Sequence, residues 1–108
     1  MQIIKGAGQW AAPAAGAAND WVEHFRVPAL SVGTYCIPAD GLDDQSPHAE
    51  DEIYVVTAGQ ARIATPQGMA GVGPGSVIFV PAGEEHRFVD VTEDLALLVV
   101  FSPAYSGE

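Results

Sequence analysis

Positive charge is scarce in this chain. Four Lys and Arg stand against 14 Asp and Glu in 108 residues, a formal net charge of −10. A nucleic-acid surface demands a basic footprint and an anionic membrane attracts one, so neither partner is expected. Cysteine is almost missing. Cys36 stands alone, so no internal disulfide can form, and the sequence fits a reducing, cytoplasmic compartment. No apolar run is long enough to span a bilayer. Residues 10–18 have the small side chains of a leader cleavage site but lack the basic start and the apolar stretch before it. They read as a loosely held arm.

Turn formers, by contrast, are plentiful. Gly 12 and Pro 8 favour short strands over long helices. Strands are expected at residues 30–37, 52–57, 60–64, 76–80, 86–91 and 95–101, with Gly/Pro turns at 65–68 and 71–75. Residues 2–4 read as a short strand or a frayed arm, and 20–26 as a strand or a helical turn. Strands recurring every eight to twelve residues predict a sandwich or barrel, not a βαβ fold. The length allows one domain.

His48 and Glu52 carry the first chemical signal. Four residues of straight strand cover about 13 Å. Two ligands of one metal ion must each approach to roughly 2 Å. One straight strand therefore cannot serve both. A helix could, but Ile53-Tyr54-Val55-Val56-Thr57 is strand-forming and Pro47 does not suit a helix interior. A reversal at residues 49–51 remains, with His48 ending one strand and Glu52 beginning the next. His86 follows Pro81-Ala82-Gly83-Glu84-Glu85 and opens a strand of its own, a second strand–turn–His unit.

The segment from His48 through Glu52 to Gly59 resembles the first cupin motif: a His, three or four residues, a Glu, six residues, a Gly. The segment from Gly75 through Pro81 and Gly83 to His86 resembles the second, with Asp90 where the family has Asn. The resemblance implies an all-β, antiparallel jelly-roll barrel of the cupin type. Residues 1–29 form an N-terminal arm and outer strands, 30–103 the barrel and 104–108 a C-terminal tail. It also implies one divalent metal ion held by His48, Glu52 and His86. The family's additional first-motif His falls on Ser46. Gln45, the Ser46 hydroxyl or a water fills that place. Two imidazoles and one carboxylate make the facial triad of non-haem Fe(II) sites, which favours Fe(II) over Mn, Ni, Zn or Cu. Tyr54 and Phe88, each two residues past a ligand, are expected to line the pocket.

These residues also have plainer readings. The acidic run Glu50-Asp51-Glu52, with Asp43 and Asp44, reads as a solvated loop more readily than as a calcium site. Glu84 and Glu85 are turn residues, one of which can support His86. Cys36 reads as a small core residue. Trp21 and His24 lie far from the motifs and read as packing or interface residues. The expected function is a metal-dependent enzyme acting on a small organic molecule, of the non-haem Fe(II) dioxygenase kind. The alternatives are an isomerase, epimerase or lyase using the metal as Lewis acid, or a non-enzymatic ligand-binding protein. No residue is assigned a catalytic role. A homodimer is expected, because Trp21 and Phe25 would share one face of an outer strand.

Overall fold

In the computed structural model, which describes residues 1–107, Gly and Pro turns cut the chain into eight strands. They are β1 (Asp20–Val27), β2 (Leu30–Ile37), β3 (Asp51–Ala58), β4 (Ala61–Thr65), β5 (Gly68–Val72), β6 (Val77–Val80), β7 (Arg87–Val89) and β8 (Leu95–Ser102). All pairings are antiparallel. A five-stranded sheet has the order β1-β2-β8-β3-β6 and a three-stranded sheet the order β5-β4-β7. The chain is an all-β jelly roll, and no described helix is long and apolar enough to cross a membrane.

Alternation along the strands decides what goes inside. Tyr54 and Val56 of β3, Leu95, Leu97, Val99 and Phe101 of β8, Tyr35 and Ile37 of β2, and Phe88 of β7 turn inward and form one core. The β3–β4 turn shows why Gly59 is there. Its φ is +92°, and a Cβ would lie 2.3 Å from the Asp94 carbonyl oxygen.

Of the two readings of residues 2–4, the strand is not formed. Three expectations need correction. The turns expected at 65–68 and 71–75 flank a strand, β5, whose Gly-rich sequence becomes extended by pairing with β4. The arm is tied down, because Gly8 N donates to Thr34 Oγ1 at 2.8 Å and the Gly8 carbonyl accepts the Thr57 hydroxyl. Finally, residues 20–27 are a strand with a bulge between Glu23 and Phe25. The bulge flips the alternation. Trp21 pairs with inward-facing Tyr35, whereas Phe25 pairs with Val32, so the two aromatics lie on opposite faces.

Candidate metal centre

Glu52 is the second residue of β3 and is only 2% exposed. His48 precedes it in the loop from Ala39, which contains no strand. The expected reversal is a bend at Ala49–Glu50, but it joins a loop to a strand, not two strands of a hairpin. Gly83 N donates to the His48 carbonyl at 2.7 Å, and Ala82 N to Asp51 Oδ1 at 2.9 Å. These two bonds dock the Pro81–Gly83 turn on the first motif and bring His86, just ahead of β7, to the same point.

Donor atoms of His48, Glu52 and His86 all lie within 4.8 Å of one another. His86 Nε2 is 3.1 Å from Glu52 Oε1, and His48 Nε2 is 3.8 Å from it. The 3.1 Å contact lacks hydrogen-bond geometry, so Glu52 Oε1 is buried without a donor. The tautomer of His86 explains why. Its Nδ1 lies 3.0 Å from the Glu84 carbonyl, which can only accept, so the ring proton sits on Nδ1. Nε2 is then left with a lone pair, 2.9 Å from the Tyr54 hydroxyl and 3.1 Å from a carboxylate oxygen, a group of donors that could hold a cation. The Glu84 carbonyl, not its carboxylate, supports His86.

Gln45 lies closest to the place left open by Ser46, against both His48 and Tyr54. Its Oε1 is 2.7 Å from His48 Nε2 and 3.1 Å from the Tyr54 hydroxyl. Ser46 is exposed and lines a second cleft with Arg87 and Thr65, which reaches His86 from the other side of Gln45. Asp43 sets the orientation of Gln45, and sequence reasoning missed it. Buried at 1% exposure, its carboxylate accepts from Gln45 Nε2 (2.8 Å), Tyr35 Oη (2.8 Å) and Phe88 N (2.9 Å), with a longer bond from Gln45 N. With its NH₂ held by Asp43, Gln45 must point its oxygen at the His cluster.

Tyr54 Oη is 2.9 Å from His86 Nε2, so this core ring has its polar end in the site. Phe88 packs edge-on against Tyr54 and belongs to the core, not to the cavity lining. Burial pushes the Tyr54 phenol well above its usual pKa, and nearby Glu52 adds to this. The two imidazoles shift oppositely. Burial lowers His48, against the pull of Glu52. Burial opposes charging at His86 too, but the Glu52 carboxylate and Glu84 carbonyl outweigh it and raise the pKa.

Above the cluster lies a cavity of about 180 Å³. His48 and Glu52 form its floor, and Trp21, Phe101 and Tyr105 its aromatic wall. Phe101 and Tyr105 stack with ring centroids 4.6 Å apart, and Trp21 meets both edge-on. Trp21 is therefore part of the site, which the bulge in β1 hid from sequence reasoning. Gly33 seats it: a Cβ there would lie 2.3 Å from the indole. His24 bonds to Thr34 Oγ1 and Cys36 is buried, both apart from the cluster.

Residues 33–101 match the cupin domain family. The chain belongs to the cupin family. It is 46% identical over 92 residues to the Streptomyces coelicolor protein SCO3923, covering 83% of this chain and 88% of that one. Among solved structures, a RmlC-like cupin from Shewanella frigidimarina aligns with a TM-score of 0.76 and 15% identity, covering 99% of this cupin and 96% of the other chain. A putative mannose-6-phosphate isomerase from Ralstonia eutropha aligns with a TM-score of 0.74 and 19% identity, covering 92% and 97%. At these identities the structural matches speak for the fold, and the site must speak for the function.

Proposed function

We propose that this cupin is a metal-dependent enzyme acting on a small organic molecule, with His48, Glu52 and His86 as ligands of one divalent ion and the Gln45 amide oxygen as a fourth donor. The observation that carries this is the buried, donorless Glu52 Oε1 lying between the two imidazoles, 3.1 Å from His86 Nε2 and 3.8 Å from His48 Nε2. Glu52 supplies the one negative charge among these donors, offsetting about half of a dication's charge in an otherwise costly burial. A bound ion would supply Lewis acidity toward a substrate oxygen. The chain's own proton carrier is Tyr54. Its raised pKa keeps the phenol protonated at neutral pH, and its hydroxyl points at the donor cluster. That supports proton-transfer chemistry of the isomerase or lyase kind. The two-His, one-carboxylate donor set supports a second reading, the Fe(II) dioxygenase.

Metal analysis of protein purified without chelator or affinity tag tests the proposal. One first-row divalent ion per chain is expected, with stoichiometric binding abolished by His48→Ala and by His86→Ala. Full occupancy in both variants would overturn it. Iron as the resident ion favours the oxygen-dependent reading; Zn, Mn or Ni favours the Lewis-acid one.

We also infer a homodimer. One rung across the outer face of the large sheet runs Phe25, Val32, Val100, Ile53 and Phe79, with half or more of Phe79 exposed. A monomeric mass by light scattering at micromolar concentration rejects it.

A further inference from the structure

The cavity above the cluster combines three properties that together restrict its ligand. The first is size. An apolar cavity of about 150 Å³ takes one benzene ring. At about 180 Å³ this one takes a ring with a small substituent. The second is shape. The wall of Trp21, Phe101 and Tyr105 offers aromatic surface for a flat ligand to lie against.

The third is charge. No Lys or Arg is among the residues that line the cavity, whereas Asp44 and Glu52 both are. The Arg26 guanidinium, behind the Tyr105 backbone, is occupied. It pairs with Glu23 at 2.9 Å and donates to the Tyr105 carbonyl, which holds the wall in place. Arg87 lines the second cleft on the other side of Gln45, which includes His86 but none of the aromatic wall. One anionic donor on the ligand can be matched at the ion that His48 and Glu52 are proposed to hold. A second anionic group would sit against the exposed carboxylate of Asp44 with no positive partner, and the two like charges would repel.

We propose that the cavity binds a small planar, unsaturated compound carrying at most one anionic group. The ring lies on the Trp21–Tyr105 wall, and a donor oxygen points toward His48 and Glu52. Phosphorylated and dianionic compounds are rejected. The orientation of the donor oxygen and the allowance of one anionic group rest on the metal reading above; the ring site and the exclusion of a second anionic group do not.

The test uses Trp10→Phe protein, leaving Trp21 as the only indole, with benzoate, 2-nitrobenzoate, phthalate and mannose 6-phosphate as probes near neutral pH. 2-Nitrobenzoate and phthalate have nearly the same shape and differ by one charge. Benzoate should quench or shift Trp21 emission saturably. Phthalate should bind about tenfold or more weakly than 2-nitrobenzoate, the cost of setting a second negative charge against Asp44 and Glu52 with no cation to match it. Mannose 6-phosphate should leave the emission unchanged. Tyr105→Ala should weaken benzoate, while Tyr105→Phe, which keeps the ring, should not.

Phthalate or mannose 6-phosphate binding as tightly as the monoanions overturns the proposal. So does benzoate that leaves Trp21 unperturbed or ignores Tyr105→Ala. Repeating the titration after dialysis against a chelator separates the two readings. Ring binding that survives in protein shown to take up no metal sinks the metal reading alone. A full complement of metal without ring binding sinks this one alone.

Discussion

The two ends of the barrel are built from the same strands in the same register, yet they are chemically opposed. At the mouth, Glu52 of β3 pairs with Phe101 of β8; one inward step on, Tyr54 pairs with Val99; at the far end, Val56 pairs with Leu97. Inward positions of β3 thus pass from carboxylate to phenol to isopropyl. The far end, with Ile37, Leu95 and Leu97 fully buried, is dry and aliphatic. The mouth buries Glu52, His48 and His86 and leaves a carboxylate oxygen unpartnered. Stability resides at one end, and the other end gives some of it up for a binding site.

The far end should yield the largest change in stability. Leu97→Ala removes a fully buried side chain and should destabilise the fold by about 2–5 kcal/mol, read by urea denaturation. Metal stoichiometry in the folded fraction should stay the same. Loss of metal from folded Leu97→Ala protein would mean the ends are not separable.

The mouth should respond with opposite signs to one substitution. Glu52→Gln replaces the donorless oxygen with an amide that can donate or accept. Metal-free protein should gain about 1–2 kcal/mol, part of the cost of an unsatisfied buried group. Metal affinity should fall, because the amide carries no charge. Equal affinities for parent and Glu52→Gln would remove Glu52 from the ligand set.

The smallest effect is a titration order. In metal-free protein, His86 should titrate above the ordinary histidine value of 6.5 and His48 below it, as read by NMR of the ring protons. The signs follow from linkage. A raised folded pKa gives His86 a contribution present below about 6.5 and lost as pH rises through its folded value. A lowered one makes His48 cost stability as pH falls below about 6.5. The two oppose each other near neutrality. The reverse order would place the protonated ring on the wrong side of Glu52.

The clustering of His48, Glu52 and His86 was legible in the sequence because local chemistry positions them. Strand-forming residues after Glu52 exclude a helix, and the Pro81–Gly83 turn delivers His86. The strands around them were legible for the same reason. Gln45 was only one of three options for the fourth place, since nothing in its neighbourhood reveals the Asp43 carboxylate that turns its oxygen inward. β5 was hidden because Gly68 and Gly71 signal turns, and only pairing with β4 makes them strand. Trp21 was misplaced by a single bulge. Tyr105 lies beyond the last strand, where Ser31 Oγ and Arg26, each more than 70 residues away, fix it.

The Asp43 carboxylate also bears on how the chain reaches its native state. It joins Tyr35, Gln45 and Phe88, and the bond to Phe88 N spans 45 residues. Contacts of such separation form late and slowly, after the entropy of closing the intervening loop has been overcome. The loop bearing Gln45 and His48 can therefore take its final course only when β7 arrives. In refolding, the far-end core should gain amide-exchange protection first, and competence to bind the ion should appear with the closing of the barrel.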